Sequence, residues 1–226
     1  MSKNTHIITI DGLAGSGKSA VSKKLSQNLG FYLLDSGILY RTFAYIKNIE
    51  NINAFNKDNI GYLMSHLSLV PTNDLRFNIV FKNNDITNKL YSEEIGLAAS
   101  VVSKIELLRL ALLDLQHECI RDPGLIANGR DMGTKVFPNA ILKLYFTANL
   151  NIRAERRYNQ LLSNDSTANI EDIKKSLQDR DEKDINRDIS PLKAAKDAII
   201  IDSSELNIES VLDKILELYN IKELEI

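Results

Sequence analysis

Gly12-Leu13-Ala14-Gly15-Ser16-Gly17-Lys18-Ser19 fits the pattern G-x-x-x-x-G-K-[ST] at every fixed position, and each of those positions has a chemical reason. Glycines at 12, 15 and 17 let the backbone curl until successive N–H groups converge on one anion, with no side chain blocking the approach. Lys18 is spaced to reach β- and γ-phosphates as a point charge, and the Ser19 hydroxyl to ligate Mg²⁺. Residues 12–19, with Ala20 beside them, are therefore read as the binding segment for a nucleoside triphosphate. The flanks agree. Ile7-Ile8-Thr9-Ile10 is β-branched throughout, as a strand buried on both faces requires, and Asp11 marks its end. Beyond Ser19, Val21, Leu25 and Leu29 recur at helical spacing, the helix adds its positive dipole end to the cradle, and Gly30 supplies a stop.

Three further clusters carry groups that could meet a nucleotide. Leu34-Asp35-Ser36-Gly37, followed by Tyr40 and Arg41, ends a second apolar run and opens a helix, bringing a carboxylate, a hydroxyl, a phenol and a guanidinium together. Arg41 suits a substrate phosphate; a plain surface arginine is the alternative, although a cation in the first turns of a helix gains nothing from the dipole. Asn128-Gly129-Arg130-Asp131-Met132-Gly133-Thr134 ends another run, with glycines flanking an Arg–Asp pair. Arg130 could fork onto phosphate oxygens while Asp131 accepts an amino proton from a base, and an internal salt bridge is the competing explanation. In the third cluster Arg180, Asp184 and Arg187 stand at i, i+4 and i+7, one face of a helix, which a simple ion-pair stripe would also produce.

The elements that must position these groups can be read coarsely. Strand candidates at 7–10, 31–34, 125–127, 141–146 and 198–201 alternate with helical patterns, which implies βαβ crossovers, a parallel sheet with helices on both faces, and ligands outside the carboxyl ends of the strands. The fold class is α/β, a three-layer αβα arrangement of the phosphate-loop NTPase type. Two stretches exceed a minimal core of this kind. In 38–101, Leu75, Phe77, Ile79 and Phe81 alternate with mostly polar residues and Lys82-Asn83-Asn84-Asp85 follows as a turn, predicting a small antiparallel sheet. In 149–190, Arg153, Arg156 and Arg157 precede the loop Ser163-Asn164-Asp165-Ser166-Thr167, and Lys174, Lys175, Arg180, Lys183 and Arg187 follow it. A mobile cationic lid explains that charge better than a solvated face, because transferring phosphoryl oxygens need neutralising. The expected organisation is a single domain over 1–226, with a core of 1–37, 102–148 and 191–226 and insertions at 38–101 and 149–190. Residues 206–218 read as a packing helix.

Composition excludes other classes. With 226 residues and a net charge of −2, the chain has room for a sizeable core and lacks the broad cationic footprint of a protein that binds long nucleic acid. Cys119 is the only cysteine, so an intrachain disulfide framework is ruled out. No signal-like or membrane-length apolar stretch occurs, making cytoplasmic residence the default. No spare apolar stripe argues for an oligomer, and a monomer is expected. His6, His66 and His117 have no metal-ligand spacing to one another.

Taken together the motifs resemble those of the bacterial cytidylate kinases, a branch of the nucleoside monophosphate kinases, over essentially the whole chain. The resemblance rests on ITIDG and AGSGK at 8–18, LLDSG with YR at 33–41, AAS at 98–100, GRDMGT with VFP at 129–138, the Arg-Asp, Asp and Asn-Arg positions of 180–187, and Asp202-Ser203. It implies that 38–101 is the monophosphate-binding lobe and 149–190 the lid over ATP. It further implies that Ser100, Arg109 and Asp131 recognise cytosine, that Arg41, Arg130 and Arg187 hold the acceptor phosphate, that Arg180 and Asp184 hold the ribose, and that Ser36 and Tyr40 line the same pocket. The sequence departs from the family at Leu13, commonly Pro, at Ala20, commonly Thr, and at Asn128, commonly Asp. Asn128 removes a negative charge beside Arg130 and Asp131, leaving Asp35 as the carboxylate for a metal-bound water, with Ser19 as the other metal residue.

The implied reaction is phosphoryl transfer from Mg·ATP to CMP, with dCMP as a second acceptor. No general base is needed, because the acceptor phosphate is already ionised; Lys18, Arg180, Arg156 and Arg157 are the groups expected to follow charge into the transition state. Alternatives are a UMP/CMP or AMP kinase, and a nucleotide-dependent switch or binding module. The last lacks support, since Asn88-Lys89 is followed by Leu90-Tyr91 where guanine reading would need Asn-Lys-x-Asp.

Overall fold

The structure, a computed structural model, describes residues 6–162 and 169–224. The loop expected at Ser163-Asn164-Asp165-Ser166-Thr167 lies outside the described residues. In chain order the elements are β1 (His6–Gly12), α1 (Lys18–Leu29), β2 (Tyr32–Asp35), α2 (Ser36–Ile49), α3 (Lys57–Ser65), β3 (Leu67–Pro71), β4 (Phe77–Phe81), β5 (Asn84–Asp85), α4 (Glu93–Val102), α5 (Glu106–His117), β6 (Gly124–Asn128), β7 (Leu142–Thr147), α6 (Leu150–Leu162), α7 (Ile170–Ile185), β8 (Ile199–Asp202) and α8 (Ile208–Glu223). One sheet runs in the order β2-β6-β1-β7-β8, with β1–β7 and β7–β8 parallel; a smaller one runs β3-β4-β5 and is antiparallel. The fold is α/β with a central parallel sheet, as the alternation of strand and helix patterns predicts. Each of the five expected core strands forms within about two residues of its predicted bounds. No described helix is long and apolar enough to cross a membrane.

The chain divides into two compact units, one made of His6 with Ser26–Ala127 and the other of Ile7–Leu25 with Asn128–Ile226. In the first, α2 packs on α4, burying Leu39, Phe43 and Ile46 from α2 and Ala99 and Val102 from α4. The predicted alternation is realised in β4, where Phe77, Ile79 and Phe81 are buried. Lys82 and Asn83 both take positive φ (48° and 63°), the conformation of a two-residue hairpin turn, and Asn84 and Asp85 have already joined β5. Leu75 does not head this strand as expected. Its φ is 64° and its N–H donates to the Thr72 carbonyl at 3.1 Å, so it belongs to the turn that precedes β4. The partner strand β3 buries only Leu67, which leaves almost no alternation to read. Cys119 is buried just beyond α5, and burial pushes its thiol pKa up to about 12.

In the second unit Ile8, Ile10, Leu144 and Phe146 are buried in adjacent strands, and Ile10 lies opposite Leu144. Helices α6 and α7 pack against each other, with Ala154 and Leu177 at their contact. In α8, Val211, Leu212, Ile215 and Tyr219 face inward, whereas Ile208, its first residue, is exposed. Where β1 gives way to the phosphate loop, Gly12 adopts φ +140° opposite Phe146, and the Leu13 N–H donates to the Phe146 carbonyl at 3.1 Å. A Cβ at position 12 would collide with that same carbonyl oxygen. Gly12→Ala is therefore expected to destabilise the fold by roughly 3 kcal/mol, the cost of strained backbone plus a lost hydrogen bond, read as a lower urea midpoint with an unchanged m-value.

Candidate active site

The phosphate loop joins the end of β1 to the start of α1, with Gly15 and Gly17 at φ +73° and +87°. Only glycine takes this curvature cheaply, and it turns the orphan amides of the first helical turn toward the space in front of the loop. Two of the expected cradle amides are spent inside the protein: Leu13 donates to Phe146, as above, and Ala14 donates to Asp181 Oδ1 at 3.0 Å. Lys18 is buried and folds back on the loop, its Nζ donating to the Leu13 carbonyl at 2.6 Å and lying 3.4 Å from Ser16 Oγ. Burial, together with the positive charges of Arg130 and Arg180, holds its pKa well below the usual lysine range, against the opposing pull of Asp11 and Asp181.

Asp11 is the residue of this unit that the motifs left out of the site. Its carboxylate accepts the Met132 N–H at 2.9 Å and the Gly133 N–H at 2.8 Å, tying β1 to the single π-helical turn Met132–Val136 that follows Asp131. Burial raises its pKa to about 6 despite those two donors, with Asp131 adding to the rise. Asn128 is buried at the end of β6, and its Nδ2 donates to Ser19 Oγ at 3.1 Å, while among the described residues its Oδ1 has no hydrogen-bond partner.

Asp184 and Arg187 of the third cluster meet Arg130 of the second as an ion-pair group, a grouping that the i, i+4, i+7 spacing of Arg180, Asp184 and Arg187 did not contain. Arg130 Nε donates to Asp184 Oδ2 at 2.8 Å, and Arg187 Nη1 stands 4.0 Å from Asp184 Oδ1. Arg187 is not on the helical face with Arg180 and Asp184. Helix α7 stops at Ile185 with Asn186 as its cap, and Arg187 Nε turns back to the Ser190 carbonyl. Arg180 is exposed on α7 and acts electrostatically on Lys18. On α6, Arg156 is held by the strand end that carries Ser203, donating to its carbonyl at 2.6 Å and lying 3.1 Å from its Oγ, and Ser203 Oγ in turn donates to the Ser16 carbonyl at 2.9 Å. Arg157 donates instead to Gln160 Oε1 at 3.0 Å on its own helix. Arg153, on the buried side of α6, pairs with Asp181 of α7.

The other expected residues lie in the first unit. Asp35 caps α2, accepting the Gly37 N–H at 3.0 Å, and Ser36 is buried as the first helical residue. Tyr40 and Arg41 follow on α2. Arg41 Nη1 donates to the carbonyls of Leu90 at 2.9 Å and Ser92 at 3.1 Å, and its Nη2 is so close to Gly96 that a Cβ there would sit 2.7 Å from it. Ser100 lies one turn along α4 from that glycine, its Oγ donating to the Gly96 carbonyl at 3.4 Å. Arg109, buried on α5, donates to the Ser103 carbonyl at 3.0 Å and lies 5.3 Å from the centroid of the Tyr40 ring. A phenol, two guanidiniums and a hydroxyl are thus gathered along α2, α4 and α5. Tyr91, which the motifs did not single out, shares the charge environment of Asp35 and Arg41, and burial raises its pKa.

The family model described as cytidylate kinase matches residues 8–221. A cytidylate kinase of Azotobacter vinelandii is 42% identical over 219 residues, covering 96% of each chain. One of Pseudomonas fluorescens is 41% identical over 213 residues, covering 93% of each. Among solved structures, an uncharacterized protein from Eubacterium ventriosum aligns with a TM-score of 0.52 at 11% identity, over 96% of this chain and 99% of that one, a likeness of fold alone. The phosphate loop, the Arg130–Asp131 turn and the α7 cluster all fall inside the matched region, and the chain belongs to the cytidylate kinase family.

Proposed function

We infer that this chain carries out the reaction for which its family is named, transfer of the γ-phosphoryl group of ATP to CMP, with the second unit's loop holding the donor. The observation that carries this reading is the loop itself, curved by positive φ at Gly15 and Gly17 with Lys18 buried against it, a cradle to which Arg130 and Arg180 add positive charge that a polyanion would relieve. Lys18 moves with the triphosphate as charge shifts during transfer, and Arg180 acts with it. Arg156, held beside Ser203, lines the donor side; Arg157 stands further from this group in its bonding and contributes charge only. Arg130, Arg187 and Asp131 bind the acceptor's phosphate and base edge, and Asp184 with Arg180 its ribose. Within the first unit, taken by itself, Arg41 suits a phosphate and Ser36, Tyr40, Ser100 and Arg109 suit a nucleoside. Reaction requires alignment of two anions rather than a base, so the residues act by orienting, neutralising and excluding water.

Mg²⁺ fits the residues near Ser19. The Ser19 hydroxyl and the orphaned Asn128 Oδ1 are hard oxygen donors of the kind this ion prefers, one for direct ligation and one for a coordinated water. When bound, the ion would supply neutralisation of phosphate charge.

Lys18→Ala is expected to leave the fold intact and to lower turnover by roughly 10³-fold, the scale on which a charge-stabilising donor acts; an unchanged rate in a coupled ADP assay would remove the loop from the mechanism. A panel of CMP, dCMP, UMP and AMP acceptors tests the base assignment. Arg109→Met should lower kcat/KM for CMP and dCMP on the order of 10²-fold, as loss of a buried polar contact to substrate does, and equal losses on all four acceptors would refute a cytosine contact. The pH dependence follows from Lys18. Its pKa lies below 10.5 in the free protein and rises again when phosphates face it, so binding takes up protons in the window between the two values. At about pH 9 the nucleotide is already fully ionised, and calorimetry in two buffers of different ionisation enthalpy should record proton uptake on ATP binding that Lys18→Met abolishes.

A further inference from the structure

The peptide of Ala14, at the crown of the phosphate loop, is gripped on both sides by one ion pair. Its N–H donates to Asp181 Oδ1 at 3.0 Å, and its carbonyl accepts from Arg153 Nη1 at 2.9 Å. The same Nη1 pairs with Asp181 Oδ2, and Arg153 Nε is anchored on the Ala148 carbonyl at 2.9 Å. Both side chains are almost wholly buried, at 6% and 9% exposure. The contact continues in apolar atoms: Ala14 joins Ala154 and Leu177 in one buried cluster, and a Cβ on Gly15 would lie 3.4 Å from the Cβ of Arg153.

This arrangement has a definite chemical meaning. An N–H that points at Asp181 does not point at phosphate, so the carboxylate fixes which way the Ala14 peptide plane faces, and with it the direction in which the amides after it are presented. Arginine's planar fork can satisfy two carbonyls and a carboxylate at once, and a lysine could not. We propose that Arg153 and Asp181 are positioning residues for ATP, an ion pair that holds the Ala14 peptide in the orientation the phosphate cradle needs. The inference rests on the reading that residues 12–19 hold the triphosphate.

A buried pair broken on one side leaves an uncompensated charge, and Asp181→Asn could fail to fold for that reason alone. The double variant Arg153→Met/Asp181→Leu removes both charges while keeping apolar volume, an exchange that commonly leaves a protein folded. For this variant the Tm is expected to stay within about 5 °C of the parent while the KM for ATP rises about tenfold and the KM for CMP stays within about twofold. A purely structural role would move both KM values together with the Tm. In the unsubstituted protein the Ala14 amide should exchange with solvent at least about tenfold more slowly than an unstructured amide, which needs no variant to test. Wild-type ATP affinity in the double variant, parallel shifts in both KM values, or an unprotected Ala14 amide would each overturn the proposal. Lys18→Ala run beside it keeps the two readings apart: if that variant also binds ATP normally the loop assignment fails, whereas impaired Lys18→Ala with a normal double variant overturns only the positioning role.

Discussion

Like charge gathered in a small volume is the constraint around which the second unit is organised. On the proposed reading Lys18 stands where a triphosphate's charge will be, and Arg130 and Arg180 add their positive charge to its surroundings. Left to solvent such groups would disperse; four cations of this unit are instead tied by backbone or carboxylate oxygens. Lys18 rests on the Leu13 carbonyl, Arg130 on Asp184, Arg156 on the Ser203 carbonyl and Arg153 on Asp181. The carboxylates are few and buried or half-buried, which preserves the attraction they exert without diluting it in water. Asp11 shows the opposing cost, since its own charge is penalised by burial and is kept useful by two amides.

The α/β framework was largely legible because its signals are local. A both-face-buried strand must be apolar at every position, so β1 and β7 announce themselves, and the glycines of the phosphate loop have no other economical use than φ values that other residues avoid. The smaller sheet was half legible. Phe77, Ile79 and Phe81 alternate cleanly in β4, but Leu75 carries the alternation past the point where a positive φ ends the strand, and β3 has a single buried residue from which no period can be read.

The site follows the same division. Arg130, Asp184 and Arg187 were each recognisable because each stands in a motif with its own chemistry, but not as one group: the Arg130–Asp184 pair joins residues 54 positions apart, and the end of α7 before Arg187 is set by the cap at Asn186, which spacing does not encode. Arg153 reads as one cation of a charged stretch, and Asp181 as a motif position with no role of its own. Burial is what distinguishes them, and it arises from the packing of α6 on α7 and of both on Ala14, residues 139 and 167 positions away in sequence. Arg41 illustrates the converse: the arginine was visible, but the role of Gly96 in admitting its guanidinium lies in the absence of a Cβ on another helix.

The buried sulfur near the end of α5 has a consequence of another kind. A thiol whose pKa is pushed up to about 12 is almost entirely protonated at neutral pH and shielded from reagents, so it is a poor nucleophile toward peroxides, disulfides and alkylating agents alike. As Cys119 is the sole cysteine in the chain, the folded protein offers oxidants no reactive thiolate. Thiol chemistry is thereby closed off in the folded chain, and a cysteine introduced at any exposed position would carry a probe without competition from the native one.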